Sequence, residues 1–258
     1  MSGPKRDLES IAPDAVDDSV DEEARRIPRR GELSQATVDR LREDRPYNAD
    51  LLVVDVGAGP VVVKDFLPKP WWVRWMGWIL VGHECRAYRR LGSMQGVPAF
   101  VGRIDRYALA MEKIDGQQLT ESPDRYDRGE QYLDQLGEIL DRFEARGFVH
   151  FDLRGRQNIL LRDNGQLVVL DLAGALWFRP GGFWHRLLTP LIAWNHRNTL
   201  AKWKVLLAPQ TLTDEDLVSL RRFRNLQFVW LFNRKGSKHP EYPLSPGERL
   251  PGDDVDRD

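Results

Sequence analysis

In the stretch GFVHFDLRGRQNILLRDNGQLVVLDLAGA (147–175), Asp152, Asn158 and Asp171 each stand beside an apolar run. A polar side chain is costly there unless something uses it. Asn164-Gly165 is a strong hairpin signal, and a two-residue turn at that pair sets Asp163 opposite Gln166, Leu161 opposite Val168 and Asn158 opposite Asp171. Directly opposed residues share a face, with Cβ atoms about 4.5–5.5 Å apart. The register therefore predicts an amide oxygen and a carboxylate side by side at the open end of the hairpin. Two such hard oxygen donors suit Mg2+, which takes one or two protein carboxylates and fills its shell with water and phosphate. Asp152 lies on the loop after His150, where a carboxylate near a phosphate–metal site can accept or orient the proton of an attacking hydroxyl. Singly, each aspartate reads as a turn or cap residue and His150 as a core histidine. Together, after a helix that ends in glycine, they point to phosphoryl chemistry.

The flanking elements must hold these residues. From Leu51, LLVVDVGAGPVVVKDF is two β-branched runs around Gly57-Ala58-Gly59-Pro60, a hairpin pattern. PKPWW breaks the sheet, and 71–91 reads as a helix with Met76, Leu80, Ala87 and Leu91 on its inward face; Gly77 and Gly82 are points at which it could split. VPAFVGRIDRYALAMEKIDG predicts two short strands. Leu133, Leu136, Leu140 and Phe143 then form a helical stripe that Gly147 ends as a C-cap. Beyond Trp177 the chain reads as helices to about residue 234. The fold class is α+β, with a sheet-rich part over 32–112 and a mostly helical part over 113–235.

Composition bounds the rest. With 41% hydrophobic and 30% charged residues and a formal net charge of −1, the 258-residue chain has no charge excess to mark nucleic acid as a partner. The single cysteine, Cys85, rules out an intrachain disulfide and fits a reducing compartment. Residues 1–31 lack the apolar core of a secretory signal and, like 236–258, read as disordered. No run reaches the ~20 apolar residues of a spanning helix. The nearest, WWVRWMGWILV (71–81), is short and carries Arg74. A cytoplasmic protein is expected.

VHFDLRGRQNILL resembles the catalytic loop of the protein-kinase-like superfamily, and VVLDLAGA resembles its metal-binding aspartate motif. The flavour is that of the small bacterial branch, the lipopolysaccharide-core (Kdo) kinases and the RIO-type kinases, and the resemblance covers about residues 33–200. It implies a bilobal fold, with a β-rich N-lobe carrying one main helix and a helical C-lobe, and ATP and Mg2+ as cofactors. Lys64, which ends VVVK, would then neutralise the nucleotide α- and β-phosphates, with Glu84 on the following helix as its partner. ALAMEKIDGQQL resembles the hinge between lobes. Met111 would sit behind the adenine, the backbones of Glu112 and Ile114 would bond it, and Gln118 would reach the ribose. Asp152 would be the base, Asn158 and Asp171 the metal ligands, and Arg154 a group beside the transferred phosphate.

The departures from the family pattern are specific. Asp152 and Asn158 are six apart where five is common, Phe151 replaces the usual arginine, and DLAG carries Ala173 where glycine is usual. No Ala-Pro-Glu motif is present, and LREDRPYNAD (41–50) falls where a glycine-rich loop would be. These losses point away from a phosphorylation-regulated kinase. Trp71, Trp72, Trp75 and Trp78, with Trp177, Trp184 and Trp194, read either as core filling or as a segment for the membrane interface. The second reading gives peripheral contact with the cytoplasmic leaflet and a lipid-linked sugar as hydroxyl acceptor. A protein Ser/Thr acceptor, a nucleotide-binding pseudokinase scaffold and a membrane-peripheral interaction protein are the alternatives.

Overall fold

In the computed structural model, residues 26–42, 46–57, 59–153 and 155–227 are described, residues 221–227 by their backbone alone. The expected tail (236–258) and most of the expected arm lie outside them. The two valine-rich runs form β2 (Asp50–Asp55) and β3 (Pro60–Asp65), paired antiparallel from Asp50 opposite Asp65 to Asp55 opposite Pro60. Gly57 and Gly59 make the turn at φ 87° and 83°, which only glycine adopts without steric cost. β3 also pairs with β5 (Ala108–Glu112), β5 with β4 (Phe100–Arg103), and β2 with β1 (Thr37–Arg42), giving the order β1-β2-β3-β5-β4. β1 was not expected. It is a charged edge strand whose central residues are exposed on both faces, so it lacks the alternation that betrays a half-buried strand.

Alternation along β3 divides the cores. Val61 and Val63 pack with Val54, Ala108 and Ala110, while Val62 faces the other way with Leu109 and Met111. A single turn, α1 (Leu33–Ala36), adds Leu33 to the first cluster. The expected arm ends earlier than residue 31. Arg30 pairs with Asp65 and Asp105, and Ile27 lies so close to Gly102 that a Cβ there would come within 2.3 Å of it.

α2 (Trp71–Leu91) covers the Val62 face as one helix that neither glycine splits. Its inward face matches the expected stripe in part: Ala87 and Leu91 are buried, but so are Val73, Gly77, Val81, Glu84 and Tyr88, and Met76 is exposed. The reason is close approach. A Cβ on Gly77 would lie 2.3 Å from Cγ of Phe66, so the helix turns its smallest residue to the sheet.

The rest of the chain builds the largest core. β6 (Gly116–Gln118), β8 (Ile159–Arg162) and β9 (Leu167–Val169) form one small sheet, and β7 (Phe148–His150) pairs with β10 (Ala175–Trp177) in another. Between them α3 (Gly129–Ala145) buries Tyr132, Leu136, Leu140 and Phe143 against Phe148, Leu172 and Trp203. Gly147 ends α3 as expected, at φ 74°, where a Cβ would strike the Phe178 carbonyl at 2.1 Å. α4 (Phe183–Leu207) and α5 (Asp214–Gln227) follow, and residues 228–234 of the expected helical region lie outside the described residues. The fold is α+β. No helix among the described residues is long and apolar enough to cross a membrane.

The two α2 glycines should respond oppositely to a methyl group. Gly77→Ala must displace Phe66 and is expected to cost about 1–3 kcal/mol. Gly82, with open space around it, should gain about 0.5–1 kcal/mol as alanine. Urea denaturation of the two variants checks the signs.

Candidate functional site

The hairpin register expected at Asn164-Gly165 is off by one residue. Ile159 pairs with Val169 and Leu161 with Leu167, and Arg162 N–H donates to the Gln166 carbonyl at 2.9 Å. Asp163, Asn164 and Gly165 thus form a three-residue turn, with Gly165 left-handed at φ 84° and the Asn164 side chain accepting the Gln166 N–H. Asn158 is consequently opposite Leu170, whose N–H donates to its carbonyl at 2.8 Å, and not opposite Asp171. A one-residue slip in a continuous ladder would send the two side chains to opposite faces. The ladder does not continue. Asn158 closes a 3₁₀ turn (Arg156–Asn158), and Asp171 is left-handed at φ 61°, ψ 73°, alone among the described non-glycine residues.

That kink costs about 1–2 kcal/mol in a residue with a Cβ, and it re-aims the carboxylate. Asp171 Oδ1 accepts from Lys64 Nζ at 2.8 Å and from Ala173 N–H at 3.2 Å. Lys64 Nζ also donates to Glu84 Oε2 at 2.8 Å. One ammonium thus ties β3, α2 and the turn after β9. Glu84 turns inward from α2 at 0% exposure, and its Oε1 has no partner among the described residues. Burial pushes the Glu84 carboxyl up to about 7 against the pull of Lys64. Burial alone would lower Lys64, but Glu84 and Asp171 outweigh it and hold the ammonium charged. Asp171 is itself raised by burial, yet the Lys64 charge and the Ala173 N–H bring it below the usual carboxylate range.

Asp152 and Asn158 form a second unit. Asn158 Nδ2 donates to the Asp152 carbonyl at 2.7 Å and to its Oδ2 at 3.1 Å. Asp152 N–H donates to His150 Nδ1 at 3.2 Å, so the neutral ring keeps its proton on Nε2, 3.0 Å from the Asp171 carbonyl. Burial lowers the His150 pKa and favours that neutral form. The two units therefore meet through the 150–152 loop and not across the hairpin. Gly174 seats them closely: a Cβ there would lie 3.0 Å from Asp152 Cβ. Lys64 and the Ala173 N–H both bind Asp171 through Oδ1, and Asn158 donates through Nδ2, which leaves Asp171 Oδ2 and Asn158 Oδ1 out of these contacts. They are hard donors of the kind Mg2+ takes when water and phosphate supply the rest. Among the described residues, no group of three or more His, Cys, Asp and Glu forms a metal cage.

The remaining expected residues divide. Met111 is buried on β5, where its sulfur meets the Tyr88 hydroxyl at 3.7 Å. The Glu112 N–H, expected to meet a base, donates to the Ala99 carbonyl at 2.9 Å. Its carboxylate holds Ala99 N–H and Arg162. Ile114 lies half-buried in the irregular segment between β5 and β6, and Gln118 stands on β6 opposite Leu160. Arg154 lies outside the described residues.

Three supporting residues had no sequence signal strong enough to find. Asn195 Nδ2 donates to the His150 carbonyl at 3.0 Å, and Trp203 Nε1 donates to the Leu153 carbonyl at 2.8 Å; both reach in from α4. His83 Nε2 lies 2.7 Å from the Ala175 carbonyl. The only hint was an amide inside the apolar run LIAWNHRNTL. No model of a known protein family matches the chain, and no curated protein does either.

Lys64→Met leaves Glu84 buried without its counter-charge and is expected to cost about 3–5 kcal/mol, much of which Lys64→Met/Glu84→Leu should recover. The raised Glu84 carboxyl gives a distinct pH signature. The folded chain holds its proton between the ordinary value of 4.5 and about 7, so the stability that Glu84 confers over Glu84→Gln is full below that window. It should fall as pH rises through about 7. Chemical denaturation of both proteins from acid to neutral pH reads the difference.

Proposed function

We propose that the chain is a bilobal, protein-kinase-like phosphotransferase that moves the γ-phosphate of ATP, with Mg2+, to a hydroxyl group. The observation that carries this reading is the Lys64 ammonium held at 2.8 Å from both Glu84 and Asp171. A lysine on a central strand, fixed by a buried helix glutamate and aimed at a kinked aspartate, is an arrangement suited to gripping a polyphosphate. The five-stranded sheet with α2 corresponds to the N-lobe, and the part built on α3, α4 and the small sheets to the C-lobe.

In this scheme Lys64 balances phosphate charge and Glu84 keeps it in place. Asp152, exposed and steadied by Asn158, receives the hydrogen bond of the acceptor hydroxyl and takes its proton as the phosphate is transferred. Asn158 Oδ1 and Asp171 Oδ2 would hold Mg2+, which supplies neutralisation of the charge on the phosphate oxygens. The catalysis is positioning and electrostatics, with no covalent intermediate on the protein. The acceptor favoured is a glycolipid core sugar, because the chain lacks an Ala-Pro-Glu segment for a peptide and exposes tryptophans beside arginines. A protein Ser/Thr hydroxyl is the runner-up. A nucleotide-binding scaffold without transfer is favoured by two features, the missing glycine-rich loop and the committed Glu112 N–H.

Transfer of radiolabelled γ-phosphate, offered separately to membrane lipid extract and lysate protein, separates these readings. Label is expected in the lipid fraction, with a fall of about 10²–10⁴ in Asp152→Ala. Label in protein alone selects the runner-up. If Mg·ATP raises the melting temperature and neither acceptor is labelled, the scaffold reading replaces transfer.

A further inference from the structure

We propose that the exposed tryptophan- and arginine-rich surface of α2 and the start of α4 docks the protein peripherally on an anionic phospholipid bilayer. On the first turns of α2, Trp71, Trp75 and Trp78 are 75%, 59% and 49% exposed, with Ile79 beside them. Phe183, Trp184 and Leu187 open α4 at 73%, 63% and 56%. Exposed aromatic surface on this scale is the mark of an interaction site.

The charges say what that partner carries. Residues 66–83 contain no Asp or Glu, and neither do residues 172–213, in a chain with 39 acidic residues among 258. The one carboxylate on α2, Glu84, points inward and is fully buried. Further along α2 the exposed positions turn basic, at Arg86, Arg89 and Arg90. A depression of about 450 Å³ sets Arg74 and Arg106 among Trp71, Trp75, Trp78 and Tyr107, guanidinium groups beside rings. The two segments are also tied to each other. His83, one turn beyond Ile79, bonds the Ala175 carbonyl, and its ring lies 4.7 Å from that of Trp177, in the strand that leads into α4.

Indoles flanked by arginines, with aliphatic side chains able to enter the acyl boundary, match the headgroup region of a bilayer. Phosphates would meet the arginines, and the rings would lie among glycerol and carbonyl groups. The apolar part of α2 is too short to span, so the helix would lie in the plane of the surface. A soluble acidic protein offers the charge but no reason for the aliphatic residues. The surface stands apart from the proposed phosphotransfer, because Glu84 and the Lys64 site use the opposite face of α2.

The test is co-sedimentation of the full chain with vesicles of phosphatidylcholine containing about 30% phosphatidylglycerol, beside pure phosphatidylcholine. Binding to the anionic vesicles is expected to be about tenfold tighter or more, and to weaken with salt. Brominated acyl chains should quench the tryptophan fluorescence of the bound protein. Trp71→Ser/Trp75→Ser/Trp184→Ser should lose both binding and quenching while its melting temperature stays at the parent value. Should that variant melt lower, Arg74→Glu/Arg106→Glu carries the test and is expected to lose the preference for anionic vesicles. Absence of binding to anionic vesicles, or equal binding by a folded variant, overturns the proposal. So does a dimer in gel filtration that the tryptophan variant dissolves, which would make the surface a contact between copies.

Discussion

A single buried ammonium organises this molecule. Lys64 Nζ lies between Glu84 and Asp171, and through it the central strand, the long helix and the turn after β9 are fixed relative to one another. Removing charges from water costs several kcal/mol per ion even after relaxation. A triad with Lys64 and Glu84 buried and Asp171 partly exposed therefore contributes little net stability by itself. What it supplies is geometry, because only one packing of α2 on the sheet brings Glu84 to the lysine while Gly77 sits on Phe66.

The second organised unit is formed by residues 150–153 and 155–158, held by polar groups from three directions. Asn195 and Trp203 bond its carbonyls from α4, the His150 ring joins it to Asp171, and Asn158 spans its two ends. Each is buried or half-buried, so a lost partner would leave an unsatisfied group away from water. These hydrogen bonds support residues 151–153, which have no regular secondary structure. Under the proposed transfer, support of this kind would let Asp152 meet the acceptor hydroxyl without reorganisation.

α2 divides its labour by face and by length. Its inner face carries the glutamate and small residues that allow close packing, and its outer face carries indoles first and arginines later. Because the faces are opposite, whatever covers the outside need not disturb the ion triad. The helix can serve a surface and a site at once.

The sheet hairpin, α2, α3 with its glycine stop and the α+β order were all legible in sequence, because each rests on local pattern: β-branched runs, apolar spacing, and glycines where φ must be positive. Lys64 and Glu84 stand out in the sequence only through resemblance, and their contact depends on the tertiary fold. β1 escaped notice because an exposed edge strand has no buried face to alternate against. The Asn158–Asp171 pairing was misread because Asn-Gly permits turns of two or three residues, and one residue reverses every facing. Only tertiary structure decided that the left-handed kink at Asp171 would send its carboxylate to Lys64. That choice depends on a lysine 107 residues away in the chain, and no local preference encodes a contact at that separation.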